Sequence, residues 1–120
     1  MTDIIRRGEI YYIDLSPVRN SEQGGIRPCV IVQNNKGNEH APTTIVVPLT
    51  TKSKKMLPTH RVVREGTKES IALCEQVRTI DKKRLKERMG MLDEDAMYQV
   101  NSALSISFGL GAESINRYVT

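Results

Sequence analysis

An arginine opens the apolar run RPCVIV, and the loop before it, SEQGGI, holds two adjacent glycines. A guanidinium is a planar fork of donors that stays charged at physiological pH and matches two oxygens of one phosphate. Arg27, set between Gly24-Gly25 and Pro28, is therefore a candidate anion-binding residue. The same group has other uses: an ion pair with Glu22 or Glu9, or a cap on the carbonyls of its own loop. Ser21, Glu22 and Gln23 stand just ahead of it. Thr50 and Thr51 close the run TTIVVPLTT. A threonine hydroxyl next to a phosphate-bound arginine can donate to the same anion, although a β-branched residue is also ordinary in a strand. Glu75, Gln76 and Arg78 interrupt the otherwise apolar SIALCEQVRTI. In an unbroken strand Gln76 and Arg78 share one face and Glu75 takes the other, giving either a plain exposed face or a polar surface that reads a substrate's edges.

His40 and His60, the two histidines, are the alternative acid/base groups, histidine being the side-chain type suited to proton transfer near neutrality. His60 follows Leu57-Pro58-Thr59 in a basic segment and otherwise reads as an exposed residue at a strand start. Cys29 and Cys74 lie in apolar runs, with no C-x-x-C pair. They read as reduced core thiols of a cytoplasmic protein, so no zinc site is expected. The chain has no phosphate-cradling G-x-x-x-x-G-K-[ST], no H-E-x-x-H and no G-x-S-x-G, and neither a metal nor a cofactor is predicted.

Charge is unevenly placed. Residues 1–51 balance at zero, residues 52–88 carry twelve basic and five acidic side chains, and residues 89–120 are net −3. The middle third is where a phosphate backbone would lie, unless it is simply a solvated lysine surface. No run of eighteen apolar residues occurs and MTDIIRRGE lacks an apolar signal core, so neither a membrane span nor secretion is expected.

The elements that must position these residues are short. One domain over residues 1–120 is expected from the length. Strands are predicted at GEIYYID, at RPCVIVQN (apolar enough to be buried on both faces), at TTIVVPLTT, at HRVVR and at SIALCEQVRTI. Pro48 must bend the third strand or place it at an edge. NKGNEHAPT reads as a turn, and DKKRLKER as a short basic helix or turn capped by Asp81, with a last short strand at RMGML. Asp93 is an N-cap signal, followed by Met97, Val100, Leu104 and Phe108 at helical spacing, with Gly109 and Gly111 as the stop. The sum is a small, strongly bent sheet or barrel closed by one amphipathic helix.

RRGEIYYIDLSPVRNSEQGGIRPCVIVQNN, followed in order by APTTIVVPLT, LPTH, LCEQVRTIDKKRL and SFGL, resembles the MazF/PemK family of toxin endoribonucleases, above all the MazF branch of Gram-positive bacteria. The resemblance implies a mainly β fold with some α, a small SH3-like β-barrel (PemK-like) with short helices and a C-terminal amphipathic helix. It implies a homodimer that cuts single-stranded RNA at short sequences without a metal, by 2′-hydroxyl attack giving 2′,3′-cyclic phosphate and 5′-hydroxyl ends. It also implies inhibition by a MazE-type antitoxin with an acidic, disordered tail. The family's catalytic pair maps to Arg27 and Thr50, and its RNA-binding positions to Ser21, Glu22, Gln23, Leu57, Glu75, Gln76 and Arg78. Cys29 stands where relatives usually carry valine. Two rival readings are a non-catalytic nucleic-acid-binding barrel and a gyrase-targeting toxin of the same fold. With only Tyr11, Tyr12, Tyr98, Tyr118 and Phe108 for stacking, a general single-strand binder is disfavoured.

Overall fold

The first strand shows how the chain divides its apolar residues. A computed structural model describes residues 4–17, 19, 22–52, 55–65 and 67–110. In β1 (Glu9–Asp14) alternation sends Ile10 into one buried cluster and Tyr11 and Ile13 into another on the opposite face. β2 (Ile26–Ile31) runs antiparallel to it and is buried on both faces at Cys29, Val30 and Ile31, as its apolar run predicts. β3 (Thr43–Thr50) follows, then β4 (His60–Glu65), β5 (Lys68–Leu73), β6 (Arg78–Asp81) and β7 (Leu85–Met91). The sheet order is β4-β5-β3-β2-β1-β7, with β6 also paired to β3. The result is a curled antiparallel half-barrel.

The terminal helix α2 (Glu94–Phe108) covers one face. Asp93 caps it, its Oδ1 accepting from Ala96 N–H at 2.8 Å, and Gly109 ends it in the left-handed conformation (φ 71°). Ala96, Val100, Ala103 and Leu104 pack onto Ile10, Val30, Val47, Leu49 and Val63. Phe108 does not join them: it lies one turn past Leu104, where the buried stripe has ended, and is 57% exposed. Gly111 lies outside the described residues. No described helix is long and apolar enough to cross a membrane.

Three local expectations need correction. NKGNEH is a helix, α1 (Asn35–His40), rather than a turn. Asn34 Oδ1 caps Gly37 N–H at 2.8 Å, and the buried Asn38 amide takes the Gln33 carbonyl and the Thr44 hydroxyl, so side-chain bonds replace weak propensity. DKKRLKER does open on a basic turn capped by Asp81, whose Oδ1 accepts from Lys83 N–H at 2.8 Å. That turn is only the 3-10 stretch Lys82–Arg84, and β7 begins at Leu85, earlier than RMGML, because it pairs with β1 from Ile13 onward.

The third correction concerns SIALCEQVRTI, which is two strands. Both lie antiparallel along the same side of β3, with Leu49↔Ala72 in β5 and Val46↔Arg78 in β6. The second register contains three residues more than the first allows. That excess is thrown out as a bulged turn at Cys74–Gln76, closed by Gln76 N–H to Leu73 O at 3.0 Å. Pro48 sits where β3 changes partner on that side, while the other side stays paired through Cys29. The strand therefore bends there and is not at an edge.

Candidate active site

Arg27 lies in β2 opposite Ile13, at the exit of the Gly-Gly loop. Gly25 takes φ +74°, which a side chain would strain, and its carbonyl accepts from Leu15 N–H at 2.9 Å, so the turn feeding β2 is fixed. The Arg27 Nε–H donates to Gly24 O at 2.9 Å. Of the alternatives open from sequence, the loop-carbonyl cap is the one that forms. Glu9 holds Arg6 N–H and Arg88, and Glu22 holds Arg19 N–H. Among the described residues no carboxylate pairs with Arg27. Its two terminal nitrogens bond to none of them either, so the fork that fits an anion stays open with its direction set from behind.

Thr50 ends β3 and is only 2% exposed. Its Oγ1 accepts from Lys52 N–H at 3.1 Å, which leaves the hydroxyl proton for another acceptor. The β2–β3 register runs Ile31↔Val46, Val30↔Val47, Cys29↔Pro48. Arg27 lies two residues before Cys29 and Thr50 two residues after Pro48, the last pair of the two strands, so both follow that pair at the same end of the ladder. There the strands part: Arg27 stays with β1, and Thr50 pairs with Ile71 of β5. An open guanidinium and a hydroxyl thus flank the place where the sheet divides. Thr51 is exposed and does not share this setting.

Beside the division lies an open cleft of ≈ 600 Å³ lined by Glu22, Gln23, Pro48, Glu75, Gln76, Val77 and Arg78. Five of these come from the sequence-derived set. Pro48 and Val77 do not: Pro48 reads locally only as a bend, and Val77 only as one more strand residue. Ser21 lies outside the described residues. Gln23 N–H donates to Gln76 Oε1 at 2.8 Å, joining the first loop to the bulged turn, and Gln23 Oε1 is a buried acceptor without a partner among the described residues. Arg78 donates through Nη1 to Leu15 O. The alternation that set Gln76 and Arg78 on one strand face fails, because Gln76 belongs to the turn and Arg78 to β6. The turn nonetheless brings both to the same cleft.

Glu75 is anchored. Thr59 Oγ1 donates to its Oε1 and the His60 ring meets its Oε2, each at 3.0 Å. Burial pushes this carboxyl up, but the bonds from His60, its own backbone and Thr59 outweigh that and hold it below the usual carboxylate value. His60 is not the exposed strand-start residue that the sequence suggests; it is 5% exposed and bonded at both ring nitrogens, which removes it as an acid/base for a bound substrate. His40 is exposed beside Glu39 on α1, which leads into β3 at Thr43, the end remote from Thr50. Leu57 is exposed but does not line the cleft.

Cys29 and Cys74 are unpaired and buried, as read from their apolar runs. Burial pushes the Cys29 thiol up to about 12 even with Arg78 and Arg27 pulling it down, and burial with Glu75 does the same to Cys74. Both should therefore resist iodoacetamide at neutral pH in the folded protein and react fully in denaturant, as mass spectrometry would show. Prompt alkylation of either thiol in the folded state would contradict this burial.

A family model for the PemK-like, MazF-like toxin of type II toxin-antitoxin systems matches residues 6–108. The chain belongs to this family. Solved MazF-type structures superpose on it over nearly their whole length. An endoribonuclease in complex with its cognate antitoxin, from a mycobacterial species, shares 27% identity over 89% of this chain and 97% of its own, with a TM-score of 0.77. A second mycobacterial endoribonuclease shares 26% identity over 90% and 94%, with a TM-score of 0.76. MazF from Deinococcus radiodurans, at 20% identity, covers 90% of this chain and 99% of its own with a TM-score of 0.80, which speaks for the fold alone. The curled half-barrel with its closing helix is thus the MazF fold, as the resemblance implied.

Proposed function

We propose that this chain is a toxin endoribonuclease that cleaves single-stranded RNA, with Arg27 and Thr50 at the scissile phosphate and the adjoining cleft reading bases. The observation that carries the reading is the open Arg27 guanidinium fork, held through Nε by Gly24 O, two residues beyond the last β2–β3 pair as Thr50 is on the other strand. The 2′-hydroxyl attacks phosphorus, the bond to the 5′-oxygen breaks, and a 2′,3′-cyclic phosphate and a 5′-hydroxyl result. Such a step needs charge stabilisation in the phosphorane and proton transfers at two oxygens. Arg27 serves the first need. It is a poor base, because guanidinium stays protonated past pH ~12. Thr50 donates to a non-bridging oxygen. Together they supply the positive charge and donors that a divalent ion supplies elsewhere.

Around this pair, Ser21, Glu22, Gln23, Leu57, Glu75, Gln76 and Arg78 contact RNA. The protein acts in the cytoplasm as a homodimer. A MazE-type antitoxin, whose acidic disordered tail lies along the electropositive groove, holds it inactive, with binding that weakens as salt rises. The mycobacterial relative captured with its cognate antitoxin supports that partner.

The test is RNA incubated with the pure protein in EDTA, with end analysis. Cleavage leaving 5′-hydroxyl ends is expected, and duplex RNA should resist because its bases cannot be splayed out. Activity lost in EDTA and restored by a divalent ion would sink the mechanism, and RNA bound but never cut would make the protein a binding module. Gln76→Ala separates reading from cutting: it should change the cleaved sequence or raise KM while leaving the rate at saturation largely intact. An unchanged motif at unchanged affinity would return Gln76 to a role in loop packing.

A further inference from the structure

His60 joins two segments that the proposed reading assigns to RNA. Its Nδ1 accepts from Leu57 N–H at 3.3 Å, so in this arrangement the ring proton sits on Nε2, which faces Glu75 Oε2 at 3.0 Å. His60 N–H returns to Leu57 O at 2.9 Å, and Thr59 O accepts from Cys74 N–H at 3.0 Å, so backbone bonds run alongside the imidazole. The Cys74–Gln76 turn passes the connection on through Gln76 to Gln23 N–H. One buried ring thus ties the β3–β4 loop to the bulged turn, and through it to the first loop.

We propose that His60 is the positioning residue of the RNA-reading surface: as the Nε2–H tautomer it holds Leu57 and Glu75 in one fixed relation, and taking up a second proton releases Leu57. The inference rests on the RNA reading above. The reason is donor arithmetic. An imidazolium has an N–H at both nitrogens and no acceptor, so Nδ1–H would point at Leu57 N–H and that bond must open. Glu75 accepts from either form. Among the described residues, the elements packed here also carry Cys74 on the turn, Arg61, Arg64 and Glu65 on β4, Lys68 and Glu69 on β5, and Lys52 and Lys55 in the β3–β4 loop; Arg64 and Glu69 pair with each other. Arg61 is turned to Pro58 O and His60 O.

Two measurements test it. NMR follows the His60 ring and the Leu57 amide across pH. Binding is measured with a 2′-O-methyl oligonucleotide of the mapped cleavage sequence, which has no hydroxyl to attack. The neutral ring should show the Nε2–H tautomer, and as it takes its second proton the Leu57 amide should move and affinity fall about tenfold, the scale of one hydrogen bond. His60→Asn keeps an acceptor near Leu57 but does not reach Glu75, and His60→Gln reaches Glu75 but offers no acceptor to Leu57. Each should raise KM with little change in kcat and bind without the acid-side dependence. An Nδ1–H tautomer, a Leu57 amide and affinity indifferent to ring protonation, or folded variants with the wild-type KM, would overturn the proposal. Should both variants fail to fold, the wild-type pH series decides. Strong binding that ignores His60 defeats this proposal alone, whereas no oligonucleotide binding at any pH removes the RNA reading and this proposal with it.

Discussion

Arg27→Ala should abolish cleavage to at least about three orders of magnitude below wild type, at saturating RNA, while the melting profile stays close to wild type. The size follows from what is removed together: a full positive charge and two donors aimed at the charge that develops in the phosphorane. Loss of one such donor alone costs about two to three orders of magnitude elsewhere. Stability should suffer little, because within the described structure the side chain is half-buried and makes one bond, to Gly24 O, worth about 1 kcal/mol. Arg27→Lys should recover only a small part of the rate, since an ammonium restores charge without the fork. Wild-type cleavage by either variant would remove Arg27 from the site.

Thr50→Val should lower the rate by about two orders of magnitude, and Thr50→Ser should restore most of it. Valine keeps the branched shape that this buried position packs, so the deficit reports the hydroxyl rather than a cavity. A separate, smaller effect on folding is expected, because Lys52 N–H loses its acceptor at a cost of about 0.5–1.5 kcal/mol. Rate and melting temperature, measured on both variants, keep the two effects apart. A Thr50→Val protein that cuts normally would leave the threonine as a turn-capping residue.

Where elements follow local rules, they were legible in the chain. Alternation marks β1, the unbroken apolar run marks β2, and Asp93 and Gly109 bracket α2. What escaped is set by distant partners. α1 depends on Asn38 reaching Thr44, and no helix propensity announces it. The division between β5 and β6 is dictated by β3, which offers two registers to one stretch that reads as a single strand. Arg27 stood out because Gly24-Gly25 and Pro28 surround it in sequence. His60 was noticed only as an alternative acid/base group; its bond to Glu75 was not legible, because that partner is fifteen residues away and leaves no spacing to notice.

The three surplus residues between the two registers of β3 also separate two kinds of change. β5 and β6 are each held by their own pairs, so lengthening or shortening the turn after the buried Cys74 alters where Gln76 stands while both registers on β3 can be kept. In most strands an insertion is a folding mutation. Here, on the proposed reading, it would adjust the recognition surface. On that reading, target sequence would vary with the length of this turn as well as by substitution, while the pairs that hold β5 to the end of β3 at Thr50 stay in place.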